Sequence, residues 1–357
     1  MAEIRIYKYR IKDRRAAGAL RLHAVACNRV WNWCNAYQQD IQRRYQAGAP
    51  KRYWPSAFDL AGLCKGVGKE LGIHQQTVQV ICEQFVRSRN ANKGSLRFRS
   101  SFGTRRVLGW VPFQKQSRQI EHNSVWYVGK RYRFFGSKRR ALPDDAKGGY
   151  FVEDSLGRWY VCFHVEIECA PNTDGGAVGI DLGLKSFATL SDGSKIEAPR
   201  IYRRYEDRLA IAQRAHNKQR VRRLYAKIKS CRQDFLHKLS TGLAARHALI
   251  AVGNVNTKRL TQTRMAKSVL DAGWSTFRAM LKYKSAGYVE MDERFTTQTC
   301  AECGSVAGPK GRAGLNEREW ICDGCGANHD RDVNSAIVIL SRALSAQRLA
   351  QESRRAA

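Results

Sequence analysis

AVGIDLGLKSFATLSDG, residues 177–193, reads as two strands, AVGIDLG and FATLSDG, joined by a short turn. A single acid, Asp181, interrupts the first, otherwise hydrophobic strand. A hydrophobic strand buries its residues, so a carboxylate within it needs a partner or a metal. The alternative is an Asp that closes a turn with Gly183. What the rest of the chain supplies decides between the two.

Downstream, KIEAPR (195–200) suits a third strand, and ALIAVGNVN (248–256) reads as a buried one. Between them the spacing predicts a strongly basic helix over 203–232, with 11 Lys/Arg against 2 acids. MAKSVLDAGWSTFRAMLKYKSA (265–286) predicts a helix with Leu270, Trp274, Phe277 and Leu281 on one face. YVEMDE (288–293) follows as a strand. As the helix before it is a crossover connection, this strand should pair beside ALIAVGNVN. HDRDVNSA (329–336) opens a closing helix at Asp332, followed by small residues that permit close packing on a sheet. A helix N-cap is the alternative role for either Asp330 or Asp332.

Between the last strand and the last helix lies Cys300-x2-Cys303-x18-Cys322-x2-Cys325, a zinc-ribbon spacing. Each Cys pair offers two thiolates from one tight turn, and two turns complete a tetrahedron. The polar, Gly-rich GSVAGPKGRAGLNEREWI between them is too poor in apolar residues to fold without a staple. A closed four-cysteine site leaves no position for water, so the expectation is structural zinc. The other seven cysteines sit singly at apolar positions and read as small buried hydrophobes.

Upstream, EIRIYKYRI (3–11) suits a strand. Leu20, Ala24, Cys27, Trp31 and Cys34 form the apolar face of a first helix. Pro50 and Pro55 bracket a break, and SAFDLAGLCKGVGKELG (56–72) is a weaker helix interrupted by glycines. Val78, Cys82 and Phe85 stripe a third helix. Three β segments follow, at 107–113, 124–135 and 158–168, the last alternating as a half-buried antiparallel strand. With residues 3–11 these segments could close a small barrel. PNTDGG (171–176) reads as a linker.

The chain has 357 residues, enough for two or three domains. Lys+Arg is 63 and Asp+Glu 31, a formal net charge of +32, which attracts polyanions and makes nucleic acid the default partner. With 43% hydrophobic residues, a folded nucleic-acid enzyme or binder fits better than a histone-like protein. No apolar run approaches the roughly 20 residues of a membrane span. The N-terminal stretch lacks a secretory apolar region. The expected location is therefore the cytosol, associated with the nucleoid, and no membrane partner is expected.

GIDLG with FATLSDG, then RQDFLHKLS (232–240), TTQTCAECG and CDGCGANHDRDVNSA resemble the C-terminal half of TnpB, the transposon-encoded RNA-guided nuclease. Compact type V CRISPR effectors are similar. The resemblance covers roughly 177–340 well and the N-terminal half only in general plan. It implies an α/β multidomain protein, an RNase H-like RuvC nuclease domain with an inserted zinc ribbon. Before it would come a small β-barrel (wedge) domain carrying a helical recognition insertion. The implied boundaries are 1–15 and 101–172 for the wedge and 16–100 for the helical domain. RuvC would take 173–295, the zinc ribbon 296–328 and the closing RuvC helix 329–345. Residues 346–357 would form a disordered tail.

Such folds hold two divalent metals, about 3.5–4 Å apart, with three carboxylates. Asp181 matches the first and Asp332 the third. The family's second is a Glu in a V-E-D-L-N pattern where this chain reads VGNVN, with Gly253 in its place. Either the nuclease is inactive or the carboxylate comes from elsewhere. Some members resemble this chain in carrying a relocated glutamate on the next strand. On alternation Glu290 and Asp292 face one way and Glu293 the other. Glu293, nearest the strand end, is assigned, with Asp292 and Glu290 as alternatives. The resemblance further implies two Mg2+, one Zn2+, a guide RNA and double-stranded target DNA. The basic helix would track phosphates through Arg203, Arg204, Arg214, Lys218, Arg220, Arg222, Arg223, Lys227 and Lys229. A direct DNA-joining transposase and an RNA-guided repressor are the competing readings.

Overall fold

The computed structural model describes residues 2–49, 54–92, 95–115, 118–136, 142, 146–168, 174–310, 314 and 317–356. Pro50 and the start of the 171–176 linker lie outside these residues. The chain divides into two compact units, 1–169 and 170–357.

In the first unit, β1 (Ala2–Arg10) leads into the long helix α1 (Arg14–Gln46), capped by the Asp13 side chain. Short helices α2 (Ala57–Leu63) and α3 (Val67–Leu71) precede α4 (Gln75–Ala91). Gly66, at φ 87°, separates α2 from α3, which is the glycine interruption expected from the sequence. The predicted stripes are buried: Leu20, Cys27, Cys34, Val78, Cys82 and Phe85 are all at 0% exposure. The thiols are not isolated in space, however. Cys34 and Cys82 sulfurs lie 4.0 Å apart, and Cys64, which ends α2, contacts both. Helix packing brings together residues that the sequence holds apart.

The β part comprises β2 (Trp110–Phe113), β3 (Gln119–Glu121), β4 (Ser124–Tyr127), β5 (Lys130–Arg133), β6 (Lys147–Glu153) and β7 (Trp159–Glu168). It forms an antiparallel sheet in the order β1-β7-β6-β2 and a separate three-stranded sheet β3-β4-β5. Ile11 bridges to Phe134, so the end of β1 reaches the second sheet. Phe113, Tyr127, Tyr132, Phe151 and Phe163 fill one shared aromatic core. The expected single strand over 124–135 is a hairpin, because Val128 and Gly129 turn the chain with φ of 47° and 68°.

The second unit is built on a five-stranded sheet in the order β10-β9-β8-β11-β12. Its strands are β8 (Gly176–Leu182), β9 (Ser186–Leu190), β10 (Lys195–Glu197), β11 (His247–Gly253) and β12 (Gly287–Met291). β8 and β9 form an antiparallel hairpin, whereas β11 and β12 run parallel to β8. Two helices, α5 (Ile201–Arg214) and α6 (Lys218–Arg246), connect β10 to β11. The predicted single basic helix is thus two, broken at His216 with φ 50° and restarted by the Asn217 side-chain cap. The next crossover holds α7 (Thr257–Leu260), α8 (Ala266–Ala272) and α9 (Trp274–Lys284). Here Gly273, at φ 72°, splits the predicted helix, and Leu270 is 62% exposed rather than on the apolar face.

The two sheet faces are used differently. Val178, Ile180, Ile250 and Val252 pack against Leu236, Leu243, Phe277 and Leu281 of α6 and α9. The opposite face carries Gly179, Ala251 and Met291, covered by the closing helix α10 (Arg331–Ala356) after the small hairpin β13 (Glu319–Ile321) and β14 (Asn328–Asp330). A Cβ on Gly179 would run into the Ala336 carbonyl oxygen, so glycine is what lets α10 lie directly on the sheet. α10 continues through the stretch expected to be a disordered tail, as its Ala, Arg, Gln and Leu residues favour helix even where exposed.

Candidate active site and metal cluster

Alternation places Asp181 on the α10 face of β8, two residues after Gly179. The register Val252↔Ile180 sets Gly253 alongside Asp181 on the next strand. Gly253 in turn pairs with Met291 on β12, and Glu293 lies two residues further. The Glu293 side chain folds back over Gly253. A Cβ at Gly253 would meet its Oε1 and lie 2.6 Å from its Cγ and 2.9 Å from its Cδ. The missing side chain on β11 is therefore the space that Glu293 occupies.

Both carboxyls are raised above their usual range. Burial, with the charge of Asp332 added, pushes Asp181 up to about 7. Burial, with the charge of Asp181 added, pushes Glu293 up to about 7. The Arg331 charge opposes the shift at Asp181, and Arg278 opposes it at Glu293. Glu293 Oε1 is buried and makes no hydrogen bond among the described residues. By contrast Glu153 in the first unit, also buried, is held by Arg106, Arg21 and the Gly109 N–H. An orphaned carboxylate oxygen beside a second buried acid is a donor set that suits a hard cation.

Asp332 joins from the first turn of α10. The cap is made by Asp330, whose Oδ1 accepts from the Asp332 and Val333 N–H groups. That leaves the Asp332 carboxylate free of the capping role. It pairs with Arg318, whose Nη1 stands 3.3 Å from Oδ2. Of the alternatives, Glu290 pairs with Arg278 and Tyr288, and Asp292 Oδ1 accepts from the Arg294 N–H. Neither is drawn to Asp181.

Residues unassigned in the sequence fix this arrangement. Asn334 donates to the Thr296 and Thr299 carbonyls and accepts from the Ala301 N–H, tying α10 to the first cysteine turn. Ser335 donates to the Thr296 hydroxyl. Their signal was present in the small polar pair following Asp332, but nothing local reveals the partners.

The four predicted cysteines converge. Their sulfurs all lie within 4.8 Å of one another, and the pairs Cys300–Cys325 and Cys303–Cys322 are 3.7 Å apart. That is the edge of a tetrahedron with metal–sulfur bonds of about 2.3 Å, so the cluster could hold a metal such as zinc. The Ser305 hydroxyl, with backbone N–H groups of Gly324 and Cys325, brings the Cys322 thiol down to about 6, toward the thiolate a metal needs.

All nine predicted nucleic-acid residues, Arg203 to Lys229, are exposed on α5 and α6. Arg203 is paired with Glu206. Among the described residues no helix is long and apolar enough to cross a membrane.

Comparison with known proteins finds two family models that match parts of the second unit and its approach. Residues 160–264 match the family model described as a probable transposase, and residues 274–339 match that of the Cas12f1-like TNB domain. The relatives are more particular. A Streptomyces pristinaespiralis protein named "Putative RNA-guided DNA endonuclease" is 41% identical over 229 residues, 58% of this chain and 56% of that protein. "Putative RNA-guided DNA endonuclease InsQ" of Escherichia coli strain K12 is 29% identical over 53% of this chain and 55% of its own length. A mimivirus "TnpB-like protein L79" is 25% identical over 52% and 41%. These matches bear out the resemblance to the TnpB family. The chain spans about half the length of the curated relatives it matches. A chain of the Cas12f1–sgRNA–target DNA complex aligns over 95% of this chain and 99% of that one. At 12% identity and a TM-score of 0.36, that likeness carries no weight on its own.

Proposed function

We propose that this chain is an RNA-guided DNA endonuclease with an RNase H-like RuvC site made by Asp181, Glu293 and Asp332. The observation that carries the reading is Glu293 lying in the place left by Gly253, close enough to feel the charge of Asp181, with a buried Oε1 that has no partner among the described residues. Three carboxylates from β8, the end of β12 and the start of α10 would hold two Mg2+. The ions, when bound, activate water and stabilise the leaving oxygen of a phosphodiester. The chain's own part is to hold the acids. Asn334 and the Asp330 cap fix the helix start that carries Asp332. Four cysteines would hold one structural Zn2+. The exposed cations of α5 and α6 would follow phosphates of a guide RNA and its duplex with target DNA. The first unit would serve as wedge and recognition domains reading a short flanking motif.

The absence of an acid on β11 favours a second reading, a nuclease-inactive RNA-guided repressor. Plasmid cleavage by the protein co-purified with its RNA separates them. Wild type, Glu293→Gln and Asp181→Asn are compared with Mg2+ and with the metal withheld. Cleavage by wild type alone, with target binding retained in the variants, supports the endonuclease. Target binding without cleavage by wild type overturns it in favour of the repressor.

A further inference from the structure

The cysteine cluster has a neighbour that no role above accounts for. His329 is 8% exposed, and its Nε2 lies 3.0 Å from the Cys300 sulfur. Its ring packs on Trp320, its register partner across the β13–β14 hairpin, with centroids 4.7 Å apart. Four thiolates around a divalent ion leave a net charge of about −2, which burial penalises unless donors reach the sulfurs. Three of the four have donors nearby. The Ser305 hydroxyl lies 3.1 Å from Cys303 and 3.3 Å from Cys322, and the Ala327 N–H reaches Cys325. Cys300 is among the most buried of the four, at 1%, and His329 is the side chain set against it.

We propose that His329 is a positioning residue that donates Nε2–H to the metal-bound Cys300 thiolate. The bond does two things. It disperses charge on a sulfur that water scarcely reaches. It also joins the cluster to the carboxylate site, because the next residue, Asp330, caps the helix that carries Asp332. Imidazole held by Trp320 is rigid, so the donor is aimed before metal arrives. This inference rests on the four-cysteine cluster binding metal.

The test uses full-length protein loaded with zinc, or with cobalt as a visible probe. His329→Gln keeps an amide donor near the Nε2 position. His329→Asn is too short to reach, and His329→Phe keeps the ring and removes the donor. Wild type and the Gln variant should hold metal alike against a chelator, with the cobalt spectrum of four thiolates. The Asn and Phe variants should bind about tenfold to a hundredfold more weakly. Equal retention in the Gln, Asn and Phe variants overturns the proposal. So does a wild-type cobalt spectrum of three sulfurs and one nitrogen, which would make His329 a ligand. Wild-type protein that takes up neither metal overturns the cluster itself, a failure distinct from that of His329.

Discussion

At the scale of residues, the site turns on two acids whose burial works against their charge. Asp181 and Glu293 both titrate near 7 in the folded protein, against usual values of 3.8 and 4.5. A carboxyl raised in this way binds its proton more tightly folded than unfolded. Its contribution to stability is complete below about pH 4 and is lost as pH rises through 7. Zinc-loaded, magnesium-free wild type should therefore already fall below the Asp181→Asn/Glu293→Gln protein in urea midpoint at pH 5.5. The gap should widen between pH 5.5 and pH 8. Equal midpoints at both values would show the acids are not strained. In cleavage, either single variant should lose about a thousandfold or more in rate if each acid holds a metal. Asp181 was legible as a carboxylate in an apolar strand. Glu293 was legible only by combining a gap at Gly253 with a strand expected to lie beside it. Ser335, Asn334 and His329 were not legible as partners, since each acts across at least 29 residues of sequence.

At the scale of elements, glycines at two register positions decide how close things come. A methyl at Gly179 would strike backbone of α10, which cannot rotate away as a side chain can. Gly179→Ala should cost about 1–3 kcal/mol, read as a lowered urea midpoint, and should weaken cleavage by displacing Asp332. At Gly253 the obstacle is a flexible side chain, so the outcome differs. Gly253→Glu alone crowds Glu293. Gly253→Glu combined with Glu293→Gly returns an acid to β11 in the space vacated, and should recover cleavage lost in Glu293→Gly. No recovery in a folded double variant would mean the end of β12 supplies something the middle of the sheet does not. Helix faces were legible where apolar spacing ran unbroken, as in α1 and α4. The breaks at His216 and Gly273 were not, since a single left-handed residue ends a helix without disturbing the pattern on either side. The β4–β5 hairpin escaped for the same reason at Val128 and Gly129.

At the scale of the whole molecule, a net charge of +32 makes nucleic-acid binding a salt-dependent quantity. If α5 and α6 together neutralise six or more phosphates, affinity for RNA should fall about 10³-fold or more between 50 and 200 mM salt. Replacing Arg220, Arg222, Arg223, Lys227 and Lys229 with Gln should flatten that slope, measured by filter binding across the same range. A slope unchanged by those substitutions would move the RNA contact to another surface. Composition alone pointed to this proposed partner class. It could not show that cations spaced along a predicted single helix are shared between two antiparallel ones.

The parallel course of β8, β11 and β12 has a consequence for how such chains are sorted. Neighbouring strands that run the same way bring their ends to one rim, so an oxygen needed there can be delivered from either. Its place in the order of the chain can change by 40 residues while its place in the fold hardly moves. A census that counts working and broken copies by looking for an acid at one position on one strand would put this chain among the broken ones without regard to Glu293. Counting by proximity at the rim would not.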